Sequence, residues 1–596
     1  MCGFVCVSGM KNTIIPEMRK MLAHRGPDYY GNVTLENFQL HHWRLSIIDI
    51  DERSNQPFSD NDYALVYNGE LYNYLDLKQE LIQSNDVNFI TDSDSEVLFH
   101  GLKIFGTKFI ERIQGIFAFS FYNKRSKELL VSRDALGVKP LYYLISSDNL
   151  FISSEINPIV QLLGKKISFD KSACIESLFF GYTSEESTIY ENIFKLKPST
   201  YIVFDTISNK IIEKEAYNNI ANPISCYCYN DFKKSLEDSI KAQMVSDVPI
   251  GVLNSGGIDS GLVSSLVATM SEDNIHSFTA EFYNQLIDEV DDASAISTKF
   301  KLIQHNVNCS SSLVGEEIKE VIAHNGEVLL HSNSVAIYLI AKQASAHVKV
   351  LLSGEGADEL FEGYNLYKRI WIIKFFRSIP FLRKFMLKYL KLPKVYNNLL
   401  ENHSLRDAIL AKYCCSDLNG FKTFCKSVDA NWELVIAKRL SKIDSSLQNN
   451  KGSIKKVIKD IDKTDYLQPL LDRQDRMLMA HGIEGRVPFL DERMIRLSKS
   501  KAKKKLSNAF TTKRYLRFFF QEFTKIRGRK KIAFSTPLSE YIISLENRLD
   551  IEKGFKLIAD FLSLEYQHVN IFYKKSEDQI KWNLLNLVTL FLRDEK

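Results

Sequence analysis

The second residue of the chain, Cys2, lies between the initiator Met1 and a glycine, and its position suggests a chemistry. Methionine is normally removed when the next residue is small, which would leave Cys2 with a free α-amine. That amine, with a reference pKa of about 7.7–8.0, can accept the thiol proton, so nucleophile and base would belong to one residue. The structural alternative is that Cys2 only begins a buried strand, since Phe4 and Cys6 suit one.

Four polar clusters follow in the N-terminal half of the chain. They are AHRGPD at 23–28, HWRLSIID at 42–49, YNGELYN at 67–73 and DSDSEV at 92–97. Taken singly, such clusters are typical of turns, helix caps and solvated arginines. In this order behind Met-Cys-Gly they resemble the class II glutamine amidotransferase domain, an N-terminal-nucleophile hydrolase that frees ammonia from glutamine. RDALGVKPLYY at 133–143 and FISSE at 151–155 match two further signatures, and the likeness covers residues 2–205.

The resemblance implies a role for each polar group. Cys2 would attack the side-chain amide of glutamine and form a thioester, while the Asn68 side chain and the Gly69 N–H stabilise the oxyanion. Arg44 suits the α-carboxylate of glutamine through a bidentate contact, and Asp94 suits its α-ammonium. The implied glutamine-binding residues are Arg44, Asn68, Gly69, Glu70 and Asp94.

A second candidate site lies in VPIGVLNSGGIDSGLVSSLV at 248–267, where a strand pattern runs through a glycine-containing loop into a helix pattern. Backbone N–H groups of such a loop favour a bound phosphate, although a tight turn without a ligand is the alternative. The loop lacks the Gly-Lys-Ser/Thr of a Walker A motif. Ser-Gly-Gly-x-Asp-Ser instead resembles the pyrophosphate loop of enzymes that split ATP into AMP and pyrophosphate. Asp259 is a candidate Mg²⁺ ligand, because Mg²⁺ prefers one or two carboxylates plus phosphate oxygens.

LLSGEGADELFEGY at 351–364 again follows a strand pattern with a glycine-rich loop that carries carboxylates. With LLDRQDRMLMAHGIEGRVPFLD at 470–491, these motifs resemble the asparagine synthetase family over nearly the whole chain. The resemblance implies that Asp358 joins Asp259 on Mg²⁺ and that Glu355 receives a proton from the attacking ammonia. Relatives that close a β-lactam ring carry tyrosine in place of Glu355, which argues against a cyclase. The implied ATP-binding residues are Asn254, Ser255, Gly256, Gly257, Asp259, Ser260, Ala280, Ser353 and Gly354.

Several residues depart from the family pattern without removing a catalytic group, and we expect that some of them reshape the acceptor pocket. In RKKIAFSTP at 529–537, Lys531 is the candidate that steadies the leaving pyrophosphate, with Lys530 as a competitor. The other departures are Asn254 for leucine, Gly261 for serine, Glu281 for glycine, and Glu362 within the usual Phe-Gly-Gly-Tyr.

The pattern of elements must position these groups. Short aromatic and β-branched runs predict strands at 116–122, 128–132, 141–145 and 150–153, and helical periodicity appears at 74–83 and 95–105. Further on, strands at 248–254, 275–282, 303–309 and 348–353 alternate with helices, and from 364 the pattern is largely helical. We predict an α+β N-terminal-nucleophile hydrolase layer domain at 2–205. An α/β parallel-sheet adenylating domain with a helical C-terminal part follows at 228–545, and a helical extension at 546–596.

Length and composition exclude several classes of protein. The 596 residues exceed what one core usually serves, and 45% hydrophobic and 25% charged residues are typical of a globular protein. A net charge of +4 does not favour nucleic acid as a partner. The lack of a long apolar run and of a signal-peptide pattern predicts a cytoplasmic location and no transmembrane segment. We expect a homodimer, and reduced structural thiols at the cysteines other than Cys2.

Residues 367–394 hold nine Lys or Arg and no acid, interleaved with aromatic residues. This pattern fits a helix on a membrane surface, or docking to an anionic partner. The alternative is an amphipathic helical pair that packs on the second domain and is interrupted at Pro380. Family members have helices at this location, which favours packing.

Together the motifs predict an enzyme with two sites that uses ATP and Mg²⁺. Glutamine would be hydrolysed at Cys2, and ammonia would pass internally to a carboxylate activated as its AMP ester. L-Aspartate, which would give asparagine, is the first acceptor to consider. The alternative is a larger carboxylate, such as a sugar uronic acid of a surface polysaccharide or a secondary metabolite. The intact catalytic set argues against a non-catalytic scaffold. Candidate acceptor contacts are Asp288, Glu289 and Glu355 for an ammonium, and Lys531 or Arg486 for a carboxylate.

Overall fold

Two antiparallel sheets of six strands each form the N-terminal half of the protein in the computed structural model. The structure describes residues 2–8, 18–35, 38–146, 149–220, 222–282, 289–389, 392–402, 404–502, 506–508, 510–526 and 536–595. The strands of this half, β1 to β12, are Cys2–Ser8, Tyr29–Thr34, Phe38–Arg44, Phe58–Ser59, Tyr63–Leu71, Gly115–Asn123, Glu128–Arg133, Tyr142–Ile145, Leu150–Ser153, Ile193–Lys195, Thr200–Asp205 and Lys210–Ala216. Its helices, α1 to α5, are Met18–Met21, Tyr74–Asn85, Asp94–Phe105, Ile156–Leu163 and Lys171–Phe180.

The two sheets face each other across a buried apolar layer. The first sheet has the strand order β10-β8-β9-β1-β3-β2, and the second has the order β12-β11-β7-β6-β5-β4. Phe4 of β1 and Val66 of β5 belong to the layer between them, and both are fully buried. Helices α2 and α3 cover the outer face of the second sheet through Leu77, Leu81 and Leu102. Because β1 and β5 are interior strands, the residues they carry are held by neighbours on both sides.

A five-stranded parallel sheet organises the second half of the protein. Its strands, β13 to β17, are Ile250–Leu253, His276–Glu281, Ile303–Asn308, Val350–Leu352 and Glu484–Arg486, and they lie in the order β15-β14-β13-β16-β17. The helices that cover and extend it, α6 to α26, are Tyr229–Gln243, Ile258–Met270, Val290–Phe300, Ser311–Asn325, Ser334–Ala344, Ala357–Phe361, Asn365–Ser378, Pro380–Tyr389, Lys394–Glu401, Leu405–Tyr413, Leu418–Ser427, Trp432–Val435, Ala437–Asn449, Ile454–Ile461, Leu467–Met479, Glu492–Lys499, Arg514–Thr524, Leu538–Glu546, Ile551–Leu562, Tyr566–Lys575 and Asp578–Asp594.

The two glycine-rich loops leave neighbouring strands of this sheet. β13 pairs in parallel with β16, and β13 leads into α7 as β16 leads into α11. Because parallel strands end at the same edge of a sheet, the two loops meet there. A Cβ at Gly354 would lie 2.7 Å from the Ser260 backbone nitrogen, so only glycine allows this approach.

The C-terminal helices pack against both halves of the protein. The Trp582 Nε1–H on α26 donates to the Leu329 carbonyl at 2.6 Å, and Asn583 Nδ2 donates to the Leu178 carbonyl on α5 at 2.9 Å. The predicted fold class is therefore confirmed: antiparallel layers first, then a parallel sheet followed by helices. The predicted strands and helices agree with the structure to within two residues at each end.

The basic stretch forms the helices α12 and α13, and the break between them falls at Ile379, directly before the predicted position Pro380, which begins α13. Helix α12 buries Leu366, Tyr367 and Ile370 in the main core. No helix in the described part of the chain is long and apolar enough to cross a bilayer.

Candidate functional site

Cys2 lies close to two of its predicted partners. It pairs in register with Arg44 on β3, and its backbone nitrogen donates to Oδ1 of Asn68 on β5 at 3.1 Å. Arg25 of the AHRGPD cluster donates from Nε to the Cys2 carbonyl at 3.1 Å. Residues far apart in the sequence thus meet where the two sheets face each other.

The environment of Cys2 makes its thiol a weak acid. Cys2 is only 6% exposed, and this burial raises the pKa of the thiol, although nearby positive charge and the Leu45 backbone N–H act in the opposite direction. The sulfur therefore keeps its proton at neutral pH and needs a base before it can attack. The backbone nitrogen beside Asn68 is where removal of Met1 would place an amine.

Asn68 has a hydrogen-bond donor to spare. Its Oδ1 accepts from Cys2, while its Nδ2 is buried and has no hydrogen-bond partner among the described residues. The next residue, Gly69, has no room for a side chain, since a Cβ there would lie 2.3 Å from the Ile116 carbonyl oxygen. An unsatisfied buried donor next to a nucleophile is what an oxyanion requires.

Arg44 and Asp94 are both buried and held by short contacts. Arg44 Nη1 donates to Asn55 Oδ1 at 2.8 Å. Asp94 begins α3, and its Oδ2 accepts from the Tyr67 hydroxyl at 2.8 Å and from the Leu71 N–H at 2.9 Å. Burial raises the pKa of the Asp94 carboxyl, and these two hydrogen bonds oppose the rise. A cationic and an anionic group are thus fixed near Cys2, as recognition of an amino acid requires.

The structure corrects the expected place of Arg486. Instead of facing an acceptor, its fully buried guanidinium pairs with Glu484 and lies 3.4 Å from Oε2 of Glu70. The Arg486 carbonyl meanwhile accepts the Ser353 N–H at 3.0 Å. Burial raises the pKa of Glu70 well above its usual range, and Arg486 opposes the rise. Arg486 therefore spans the space between the two candidate sites, because β17 is the sheet edge that faces the N-terminal half.

The loop after β13 is shaped by its own side chains. Asn254 Oδ1 accepts the Gly256 N–H at 3.1 Å, and its Nδ2 donates to the Ala293 carbonyl of α8 at 3.2 Å. Ser255 and Ser260 join their hydroxyls at 2.9 Å across the loop. Gly256 has a φ of +67°, which favours glycine. The loop opens directly into the N-terminus of α7, which suits a phosphate.

Two carboxylates converge on a lysine that sequence analysis did not identify. Lys513 Nζ forms ion pairs with Asp259 and with Asp358, the latter at 2.6 Å, and its side chain is buried. Burial disfavours the charged amine, but the two carboxylates outweigh it and raise the pKa of Lys513. Two carboxylates that converge on a positive charge are also a donor set that, with phosphate oxygens, suits Mg²⁺. Nothing local marks Lys513, because Asp259 lies 254 residues away.

Glu355 also has an unpredicted partner. Arg473 on α20 donates from Nη2 to Glu355 Oε2 at 2.8 Å and from Nη1 to Asn333 Oδ1 at 2.9 Å. The neighbouring Gln474 accepts from the Ser353 hydroxyl at 3.1 Å. The motif at 470–491 contained Arg473 and Gln474, but its pattern assigned them no role.

Two of the departures from the family pattern serve the local structure. Asn254 shapes its loop, as described above. Glu362 accepts from Lys455 Nζ at 2.8 Å and lies 3.6 Å from Lys459 Nζ. Burial acts to raise the pKa of Glu362, but these lysines lower it below its ordinary value. The expectation that departures reshape the acceptor pocket thus finds no support at these two positions.

Lys530, Lys531 and Asp288 lie outside the described residues. Glu289 directly precedes α8. Ala280 lies on β14, which pairs with β13 beside the loop.

Two family models cover most of the chain. A model described as a glutamine amidotransferase domain matches residues 1–218, and one described as asparagine synthase matches residues 231–574. The chain belongs to the asparagine synthetase family. Membership makes it an ATP-dependent glutamine amidotransferase, which is a ligase.

Curated relatives agree with this assignment. A Bacillus subtilis protein named glutamine-hydrolyzing asparagine synthetase 1 is 31% identical over 571 residues, which cover 91% of this chain and 88% of that protein. The Escherichia coli glutamine-hydrolyzing asparagine synthetase B is 28% identical over 59% of this chain and 62% of its own. The Penicillium rubens protein named Amidase chyE is 26% identical over 62% of this chain and 60% of its own.

Proposed function

We propose that the enzyme transfers ammonia from glutamine to aspartate through an acyl-AMP intermediate and releases asparagine, AMP and pyrophosphate. The observation that carries the proposal is the convergence of Asp259 and Asp358 on one cation beside Glu355 and the two glycine-rich loops. In this proposal residues 2–205 form the glutaminase, 228–545 the synthetase and 546–596 a helical extension. A cytoplasmic location and a homodimer are parts of the same proposal.

The glutaminase reaction follows from the contacts of Cys2. After removal of Met1, the α-amine takes the thiol proton, and the sulfur attacks the amide carbon of glutamine. Asn68 Nδ2 and the Gly69 N–H stabilise the oxyanion. The oxyanion collapses to a thioester as the Cys2 α-ammonium gives its proton to the leaving nitrogen, which departs as ammonia. Water then hydrolyses the thioester to glutamate. Arg44 and Asp94 hold the α-carboxylate and the α-ammonium of glutamine.

Ammonia passes between the sites inside the protein. Arg486 supports this route, because its guanidinium contacts Glu70 near Cys2 while its carbonyl holds Ser353 near Glu355. An internal route keeps ammonia from being protonated in bulk water before it reaches the acceptor.

The synthetase reaction needs activation because a carboxylate is a poor electrophile. A carboxylate oxygen of the acceptor attacks the α-phosphorus of ATP, and pyrophosphate leaves. Ammonia then attacks the acyl carbon, Glu355 accepts a proton from the nitrogen, and AMP leaves. Asp259 and Asp358 would hold Mg²⁺, which neutralises phosphate charge when bound. Lys513, which pairs with the same two carboxylates, supplies a further positive charge beside them. Lys531, with Lys530 as the competitor, remains our candidate for the pyrophosphate.

The acceptor pocket offers opposite charges close together. Glu355 and Arg473 lie 2.8 Å apart, so an amino acid with an α-ammonium and an α-carboxylate can meet both. A larger carboxylate such as a uronic acid is the second candidate. The internal contacts of Asn254 and Glu362 weaken that candidate.

The identity of the acceptor is tested by a direct assay. Purified enzyme with ATP, Mg²⁺ and ammonium chloride should form equal amounts of asparagine, AMP and pyrophosphate when aspartate is added, because activation and amidation are coupled. Glucuronate and galacturonate are assayed in parallel, with product measured by mass spectrometry. An active glutaminase that makes no asparagine would overturn the proposal, and an amidated uronate would establish the second candidate.

Replacing Asn68 by alanine tests the oxyanion assignment. The substitution removes a preorganised donor, so we expect the kcat for glutamine hydrolysis to fall by about 10²–10³-fold. Synthesis from ammonium chloride should keep its rate, since Asn68 lies in the other site. Asn32→Ala on the edge strand β2 is the matched control. An unchanged glutaminase kcat in Asn68→Ala would show that another group binds the oxyanion.

A further inference from the structure

Helices α12 and α13 leave large aromatic side chains in contact with solvent. Their exposed fractions are 59% for Trp371, 51% for Phe375, 77% for Phe381, 50% for Phe385 and 63% for Tyr389. Scattered exposed apolar residues are normal in folded proteins, but a concentration of this kind marks a binding surface. We call these residues, with Lys374, Lys384 and Lys388, the basic aromatic face.

The spacing of these residues places them on one stripe of each helix. In α13, Phe381, Lys384, Phe385, Lys388 and Tyr389 follow the intervals of three and four residues that define a helix face. In α12, Trp371, Lys374 and Phe375 repeat the same arrangement.

The protein core does not use this face. Helix α12 turns its opposite side, with Ile370 and Ile373, into the core. The one buried residue of α13, whose positions the structure describes throughout, is Arg383. Aromatic residues that packing does not require are therefore presented outward next to lysines.

Charge decides between possible occupants of the basic aromatic face. Residues 367–394 contain nine Lys or Arg and no acid, so a second copy docked through the same face would set like charges against each other. An anionic bilayer has the complementary charge, and its headgroup region accommodates aromatic rings. Lysine side chains can keep their amines at the lipid phosphates while their aliphatic chains lie beside the aromatic rings in the headgroup region.

We propose that the basic aromatic face docks the protein on the surface of an anionic lipid bilayer. The rings enter the headgroup layer, the lysines contact lipid phosphates, and no helix crosses the membrane. Glu355 lies on the loop after β16 and Asp358 on the short helix α11, and α12 begins at Asn365 soon after α11, so docking would hold the synthetase site beside the bilayer. The proposal stands independently of the identity of the acceptor.

Vesicle binding by the full-length protein tests the proposal. The protein should sediment with phosphatidylcholine vesicles that contain about 30% phosphatidylglycerol, because attraction to an anionic bilayer increases with its surface charge. It should not sediment with vesicles of pure phosphatidylcholine. Binding should weaken as salt is raised. Trp371 provides a local signal: its emission should shift to the blue on binding, and Trp371→Phe should lose that shift while binding persists.

Matched variants distinguish binding through the basic aromatic face from nonspecific hydrophobic binding to vesicles. Phe381→Ser with Phe385→Ser, and Lys384→Glu with Lys388→Glu, should each lower the vesicle partition coefficient by about tenfold or more. Ile207→Ser with Ile212→Ser removes two exposed apolar side chains elsewhere and should leave binding unchanged. Equal binding to neutral vesicles, or no effect of the face variants, would overturn the proposal. Dimerisation or single-stranded RNA binding that depends on this face, without vesicle binding, would do so as well.

Discussion

Replacing Cys2 by alanine is expected to lower glutamine-dependent amidation by about 10⁴-fold or more, because the reaction loses its nucleophile. Synthesis from ammonium chloride should continue near the wild-type rate, since the sulfur belongs to one site only. The measurement is product formation with each nitrogen source, followed on the same preparation. Burial raises the pKa of the Cys2 thiol, so attack by the sulfur needs a base, and the Cys2 nitrogen lies where that base is required.

Two controls sharpen this experiment. Cys226→Ala removes an exposed thiol and should change neither reaction. Intact-mass analysis of active protein should show that Met1 is absent. A comparable loss of both reactions in Cys2→Ala would mean that Cys2 is structural, and retention of Met1 in fully active enzyme would contradict the α-amine mechanism.

Asp259→Asn and Asp358→Asn are expected to lower pyrophosphate release by about 10³-fold with either nitrogen source, because each removes one of two carboxylates that would hold Mg²⁺ on the phosphates. Asparagine keeps the size of the side chain but not its charge, so the fold should be preserved. Glutamine hydrolysis at Cys2 should survive. Release of AMP and pyrophosphate is measured against Mg²⁺ concentration.

The control for these variants is Asp273→Asn, which changes an exposed carboxylate of the same domain. A raised Mg²⁺ requirement in Asp259→Asn and Asp358→Asn, but not in the control, would tie the loss to metal binding. ADP and orthophosphate as products would contradict the assignment of the loop. Full pyrophosphate release in either variant would remove that residue from the proposed metal site.

The contact between Arg486, Glu70 and Glu484 gives the two sites a shared element. A buried guanidinium with two carboxylates is costly to break, because removal of one partner leaves an uncompensated charge. The position of β17 is therefore coupled to the contacts around Cys2. This coupling makes physical sense in an enzyme that must deliver ammonia from one site to the other.

The sequence by itself determined the elements and the residues that local motifs carry. Strand, glycine-rich loop and helix follow one another within about twenty residues, so their backbone chemistry is readable without a tertiary structure. For the same reason the loops with Asp259 and Asp358 could be placed at one edge of a parallel sheet. Cys2 could be singled out because its chemistry depends on its place in the chain.

Only the tertiary structure decided which distant side chains complete the sites. Lys513 reaches Asp259 across 254 residues, Arg473 reaches Glu355 across 118, and Arg486 turns toward Glu70 rather than toward the acceptor. Such contacts depend on how sheets and helices pack. No local sequence pattern around a buried lysine or arginine indicates which distant carboxylate it contacts. The helical spacing around Phe381 likewise did not predict its exposure. Spacing defines a helix face, but packing determines whether that face is covered.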